Sequence, residues 1–206
     1  YIEREPDDLR RFISRAVVEP TLVDQAVRLI GDDTERCSRA IEAISTVLRP
    51  NLTELVAREN AGVLISALLR SAGTSRDGLR VHHAIFQQMP LGPLTGRDLG
   101  FERCDFVEVD FTHVVIDEPR FVGSTLRNIT VDLASTRLNG LSNEVLDQVH
   151  GLIVRGEHMV LPTGRVFAPD EVAAVLIYIG MAPPPRSVQA MERDPEVQSR
   201  ITVLER

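Results

Sequence analysis

The chain contains no lysine: all 23 of its basic residues are arginine. That excludes Schiff-base chemistry on a lysine and a phosphate-binding loop ending in Gly-Lys-Ser/Thr. Codon usage in a GC-rich bacterial genome is the simplest source of the bias. Cysteine is nearly absent too. Cys37 and Cys104 lie far apart without metal-ligand spacing, and each reads as a small apolar core residue in a reducing compartment. No apolar run is long enough to span a bilayer and no signal-peptide pattern is visible, so the expectation is a cytoplasmic protein without a membrane partner. The sequence also lacks a Gly-x-Ser-x-Gly elbow, a dinucleotide fingerprint, a metal box and a Gly-rich phosphate cradle. Together these absences predict no catalytic residue, no cofactor-binding residue and no metal ligand: a chain that is not an enzyme.

What is present is ordinary in bulk and unusual in pattern. The 206 residues are 43% hydrophobic and 26% charged, as in a folded globular protein. The net charge of −7 argues against a broad nucleic-acid-binding surface. The chain opens at Tyr1 without Met and ends at Arg206 inside an apparent helix, and we read it as a piece of a longer polypeptide.

From Pro6 to Ala72 the hydrophobic period is helical. Leu9, Phe12, Ile13, Ala16 and Val17 form a first stripe, with Pro6, Asp7 and Asp8 in the opening turn. A second helix starts at Pro20, carries Leu22, Val23, Ala26, Val27 and Ile30 inward, and stops at Gly31. Thr34 is placed to cap a third, with Cys37, Ala40, Ile41, Ile44 and Leu48 inward. A fourth runs from about Leu52 to Ser71 with Leu55, Val56, Val63, Leu64, Ala67 and Leu68 inward. Glu59 and Asn60 interrupt its stripe and Gly62 weakens it. Short connections make neighbouring helices antiparallel, in a bundle or a fragment of a helical solenoid. The arginine-rich outer faces read as solvated surface. Gly73–Arg80 is a loop, Val81–Met89 is ambiguous between helix and strand, and Pro90–Gly96 reads as a linker.

Leu99–Val131 is different. Phe101, Phe106, Phe111, Ile116, Phe121, Leu126 and Val131 are large, apolar and five apart. Residues five apart in a strand face opposite ways, and in a helix they drift about 500°. All seven face inward only if the path turns a corner every five residues, closing a square coil of roughly 20 residues whose copies stack about 4.8 Å apart. The competing reading is an antiparallel meander, because Val107, Val109, Phe111 and Val115 also fit a loose period of two.

That grid resembles the pentapeptide-repeat family, whose pattern is a central Phe or Leu with a small residue two places before it. The small positions match best at Cys104, Ser124 and Ala134. The match covers about a sixth of the chain and departs at Pro119 and Thr136. The resemblance implies a right-handed quadrilateral β-helix. The expected class is therefore α+β: an N-terminal antiparallel helical bundle (1–90), a short right-handed quadrilateral β-helix (91–138), and a small C-terminal α/β cap with a helical tail (139–206).

In that tail, Asn139-Gly140 marks a turn, and Ser142–Ile153 reads as a helix unless a strand begins near Leu152. Met159–Leu161 and Arg165–Phe167 flank a predicted hairpin at Pro162-Thr163-Gly164. Pro169-Asp170-Glu171 opens a helix through Ile179, and Val188–Arg206 reads as helical.

Side chains that bear chemistry are scattered. His82–His83 is the one adjacent histidine pair, but neighbouring side chains in a strand diverge and no metal spacing surrounds them. His113 sits among Asp110, Asp117 and Glu118, while His150 and His158 have no evident partner. The carboxylate pairs Asp7/Asp8, Asp32/Asp33 and Asp170/Glu171 suit helix starts.

The order of helices, pentapeptide run and α/β cap is similar to the C-terminal regions of bacterial NACHT-type signalling ATPases. The local flavour of Glu59-Asn60-Ala61-Gly62 and Phe167-Ala168-Pro169-Asp170-Glu171 adds to that likeness. It implies a sensor or protein-interaction region, often in antiphage defence, with a protein partner and oligomerisation through the parent protein. The alternative is a DNA-mimicking pentapeptide protein acting on a type II topoisomerase. Glu102, Asp105, Glu108, Asp110, Asp117 and Glu118 would form its acidic surface.

Overall fold

The Asp33 carboxylate accepts hydrogen bonds from the Glu35 and Arg36 amides at 2.9 and 3.1 Å. Those amides belong to a first turn that has no intrahelical acceptors for them. Asp33, one place before the expected Thr34, is thus the cap. The computed structural model describes residues 6–15, 17–30, 33–48, 55–71, 75–132, 134–142, 145, 148–155 and 166–167. It opens with four helices, α1 (Pro6–Arg15), α2 (Pro20–Ile30), α3 (Thr34–Val47) and α4 (Leu55–Arg70). α1 packs on α3 and α4, and α4 also meets α2 and α3.

The helical stripes hold unevenly. Cys37, Ala40, Ile41, Ile44 and Leu48 are all buried, as expected. In α1 Leu9 and Ile13 are buried, but Phe12 is 47% exposed. Val17 and Leu22 are also exposed where burial was expected. α4 differs most. Leu64 and Leu68 are buried as expected, but Leu55 and Val56 are exposed, and Ala57, Asn60, Ala61, Gly62, Ile65 and Leu69 are buried as well. Small residues dominate the first half of that set because α4 is approached closely on several sides. Asn60 Oδ1 accepts from the Val18 amide at 2.9 Å, and its Nδ2 donates to the Ile13 carbonyl at 2.7 Å. The apparent defect in the stripe is a buried polar clamp on the end of α1. Beyond α4, buried Arg76 donates to the Leu68 and Ser71 carbonyls at 3.0 and 2.8 Å. It places a cation where the helix dipole favours one.

Among the described residues ten strands follow: β1 (Arg80–His82), β2 (Ile85–Gln87), β3 (Leu94–Arg97), β4 (Gly100–Glu102), β5 (Asp105–Val107), β6 (Val114–Asp117), β7 (Thr125–Asp132), β8 (Arg137–Asn139), β9 (Val149–Arg155) and β10 (Val166–Phe167). β1 pairs with β4, β2 with β5, β5 with β7 and β3 with β6, all parallel. Partners lie 20 residues apart, as in Arg80–Gly100, Ile85–Asp105–Thr125 and Leu94–Val114. Bridges from Pro90 to Asp110 to Thr130, and from Gly100 to Arg120, continue the same register. The strands stack as a β-solenoid of about three turns. Parallel pairing excludes the antiparallel meander.

All seven grid residues from Phe101 to Val131 are buried. Left-handed backbone recurs at His83, Gln88, Asp98, Arg103, Glu108, His113, Glu118, Gly123 and Asn128, two places after a grid position and spaced by five residues, or ten between Gln88 and Asp98. The path therefore changes direction on the same five-residue beat that puts Phe106 and Phe111 inside together. Aromatic rings stack from coil to coil, Phe86 on Phe106 at 4.8 Å and Phe101 on Phe121 at 5.4 Å. Phe101 and Phe106 meet edge-on at 5.3 Å. Each such pair adds about 0.5–1.5 kcal/mol beyond its buried area.

Several boundaries differ from expectation. The solenoid takes in residues 80–90 as well, upstream of the expected start at 91. Val81, Phe86 and Leu91 fill grid positions of this earlier coil, and the supposed linker Pro90–Gly96 is part of it. The composition of the linker hid the coil, because Pro and Gly are tolerated wherever a strand is short. At the other end the inward position Thr136 is fully buried, its hydroxyl donating to the Phe111 carbonyl at 2.8 Å, whereas Ala134 is exposed. The register then lengthens: Ile116 pairs with Leu138, and Leu126 with Val149. Two extra residues between β7 and β8 explain why the apolar grid lapses there. Gly140 turns with φ +75°, as its position suggested. β9 occupies the stretch read as helix or strand, and it joins β7 in parallel. Val166–Phe167 pairs antiparallel with Ile153 and Leu152. Met159–Leu161, the other arm of the predicted hairpin, and the helices predicted from Pro169 onward lie outside the described residues.

α3 packs on β1, and α4 on β2. A side chain at Gly62 would overlap the Ile85 carbonyl, so the helix backbone lies directly against the first coil. Ser66 Oγ donates to the Pro90 carbonyl at 2.8 Å. One continuous apolar core runs from the helices into the solenoid.

Candidate functional site

A coil of 20 residues places like positions of successive coils side by side, so the outer surface is written in ladders. Asp98 lies between two arginines, with Oδ2 2.7 Å from Arg80 Nη2 and Oδ1 2.9 Å from Arg120 Nε. Arg80 reaches it across Gly100, where a Cβ would meet the arginine Cδ at 2.5 Å. The Arg80 hydrogen bond, aided by both positive charges, holds the Asp98 carboxyl below the usual range. Arg97 Nη2 lies 3.2 Å from Glu118 Oε1. Gln88 Nε2 donates to Glu108 at 2.8 Å, and Asn139 Nδ2 donates to Asp117 at 2.7 Å. The hydroxyl of Thr112 donates to its neighbour Asp110 at 2.6 Å. Asp77 is likewise held low, first by the Ser75 hydroxyl and then by the Arg97 amide.

The densest cluster is where α4 meets the coils. Arg58 Nε donates to the His83 carbonyl at 2.6 Å in the first coil, and its Nη2 lies 2.7 Å from Asp105 Oδ2 in the second. Asp105 Oδ1 accepts from the Thr125 hydroxyl at 2.6 Å in the third. One arginine thus ties a helix to two coils, and Asp105 carries the link on to the third. His82 Nδ1 stands 3.3 Å from Glu102 Oε2. His83 has left-handed backbone, φ 58°, and a pKa below the ordinary histidine value. Its partial burial is the main cause, followed by the charges of Arg103 and Arg58.

The six acids proposed for a DNA-like surface are all present on the solenoid, but each meets a donor or a cation: Glu102 meets His82, Asp105 meets Arg58, Glu108 meets Gln88, Asp110 meets Thr112, Asp117 meets Asn139 and Glu118 meets Arg97. His113 and His150 are exposed, and His158 lies outside the described residues. Among the described residues no group of three or more His, Cys, Asp or Glu is placed to hold a metal. None of the described helices is long and apolar enough to cross a membrane. Cys104 is fully buried, and desolvation pushes its thiol up to about 12, so it carries no thiolate near neutrality.

Sequence reasoning missed Arg58, which it grouped with the solvated helix faces, and Arg80, Arg97 and Arg120, to which it gave no role. For Arg80 and Arg120 a signal existed. Written in rows of 20, the sequence sets Arg80 above Gly100 and Arg120, and Gln88 above Glu108. Arg58 stands on a helix with no such register, and nothing local points from it to Asp105. Comparison with family models, with curated proteins and with solved structures finds no match.

Proposed function

We propose that this chain is a non-catalytic sensor or protein-interaction region of a larger bacterial signalling or defence NTPase, acting in the cytoplasm. In that reading the solenoid is a right-handed quadrilateral β-helix of the pentapeptide-repeat kind, behind an antiparallel helical bundle and followed by a small α/β cap. The 20-residue register and the left-handed residues spaced by five or ten support the quadrilateral form. The single observation that carries the functional reading is the ladder surface. Its charged groups pair with one another from coil to coil, as at Asp98 and Asp105, which suits a rigid scaffold presented to a protein. The same pairing weighs against mimicry of DNA, which needs acids spaced without intervening arginines.

The test is the natural polypeptide that carries this chain. The proposal expects an NTPase module upstream. Deleting residues 80–142 from that polypeptide should leave basal nucleotide hydrolysis intact and abolish its response to the activating protein. A natural start near Tyr1 would overturn the reading. Inhibition of DNA supercoiling by a purified type II topoisomerase at stoichiometric chain would replace it with the DNA-mimic reading.

A further inference from the structure

The turn that ends β8 carries the one Asn-Gly pair in the chain, Asn139-Gly140. An asparagine is attacked at its side-chain carbonyl carbon by the amide nitrogen of the next residue. Glycine, with no Cβ, lets that nitrogen approach. Gly140 is exposed, has φ +75°, and has nothing closer than 3.8 Å to where a Cβ would stand. Among the described residues its amide has no acceptor. The Asn139 amide is held at one end only. Its Nδ2 donates to Asp117 Oδ1 at 2.7 Å, while its Oδ1, shielded from water, has no partner among the described residues. The other described asparagines are guarded. Both ends of the Asn60 amide are bonded inside the helices, and Asn128 is followed by the buried, β-branched Ile129.

We propose that Asn139 is a site of spontaneous deamidation, and that Asp117 makes the aspartate product destabilising. The Gly140 nitrogen gives up its proton and bonds to Asn139 Cγ. The bond from Cγ to the side-chain nitrogen breaks, and that nitrogen leaves with the proton as ammonia, closing a succinimide. Water then opens one of the two imide C–N bonds, giving aspartate or isoaspartate at 139. The aspartate sets a carboxylate where Nδ2 had donated, opposite Asp117 in the β6–β8 register. Like charges directly opposite one another across strands destabilise a sheet. The 2.7 Å contact also changes from donor on acceptor to acceptor on acceptor, so its hydrogen bond is lost. The isoaspartate adds a methylene to the backbone at the end of β8, where the Asn139 carbonyl accepts from the Glu118 amide. Either product adds one negative charge to the last rung of the β3-β6-β8 sheet.

Peptide mapping by mass spectrometry tests the site, on the intact chain incubated at pH 6.0 and pH 8.5 beside the same chain unfolded in guanidinium. Aspartate and isoaspartate should accumulate at 139 in the folded chain, several-fold faster at pH 8.5, while Asn60 and Asn128 stay unchanged. Gly140→Ala should slow the conversion several-fold. Conversion confined to the unfolded chain would mean that the fold shields Asn139, and would overturn the proposal. So would conversion undiminished in a folded Gly140→Ala. Asn139→Asp makes one product directly and tests the role of Asp117 without waiting for the reaction. Its urea midpoint should lie below that of the wild type at pH 7.5, the gap narrowing as pH falls through the carboxylate range. Adding Asp117→Asn restores a donor opposite the new carboxylate and should recover the midpoint. An unmoved midpoint in Asn139→Asp, or no recovery in the double variant, would overturn that role.

Discussion

The helices and the solenoid bury their apolar residues by different rules, and the contrast decides how far each can be read. In the solenoid each coil stacks on the next in the same register, so an inward position stays inward at each repeat. All seven grid residues from Phe101 to Val131 are buried accordingly. In the helices each face is set by whichever element lies opposite. α4 meets α1, α2, α3 and β2, and its buried set is wider than one stripe and rich in small residues. Periodicity finds such a helix but not its orientation, because Ala57, Asn60, Ala61 and Gly62 carry little hydrophobic signal.

The sharpest test of the contrast replaces matched phenylalanines. Phe106→Ala and Phe111→Ala empty fully buried sites and should each lose about 3–5 kcal/mol in chemical denaturation. Phe12→Ala on α1, nearly half exposed, should lose about 1 kcal/mol or less. Val107→Glu, one place after a grid position and only partly buried, should be tolerated far better than Phe106→Ala. If Phe12→Ala costs as much as Phe106→Ala, the two regions do not differ in the way described.

The next test concerns the clamp. Asn60→Ala strips two buried partners, the Val18 amide and the Ile13 carbonyl, of their hydrogen bonds. Leaving a buried polar group unsatisfied costs about 1–3 kcal/mol. A loss of about 2–4 kcal/mol is expected for the pair, read as a shift in the urea midpoint. An unchanged midpoint would mean that water replaces the amide and that the interruption in the stripe has no structural purpose.

Gly62→Ala sets local preference against packing. Helix propensity alone predicts a gain of up to about 1 kcal/mol. The structure predicts the opposite sign, because the added methyl overlaps the Ile85 carbonyl and α4 must move off β2. A net loss of about 1–3 kcal/mol is expected, the range for overpacking. A stabilised variant would show that α4 does not lie directly on the first coil.

These cases show what was legible. The coil was readable from Phe101 to Val131 because five-residue spacing fits neither helix nor straight strand. Its first turn was not, since Pro90, Gly92, Pro93 and Gly96 carry the composition of a linker while obeying the 20-residue register. Asp33 was passed over as cap for Thr34 because adjacent residues offer the same chemistry, and only backbone geometry chooses. At the candidate site the histidines and acids were visible as residue types. Their arginine partners were visible only once the register was known.

The smallest expected effect concerns the ladders. Arg97 and Glu118 are 3.2 Å apart, but their side chains are 69% and 58% exposed. Water screens such a pair, and ordering two long side chains offsets part of the attraction. A double-mutant cycle on Arg97→Ala and Glu118→Ala should return a coupling of about 0.2–1 kcal/mol, fading with added salt. Asp98 should add a pH signature, since its carboxyl is held low by Arg80 and Arg120. The stability it contributes is present above the ordinary aspartate pKa and is lost as pH falls through the lowered value. In Asp98→Asn stability at neutral pH should fall by that contribution, and the acid limb of the stability curve should flatten as variant and wild type converge at low pH. A coupling well above 1 kcal/mol at Arg97–Glu118 would move the ladders from surface patterning into the forces that hold the coils together.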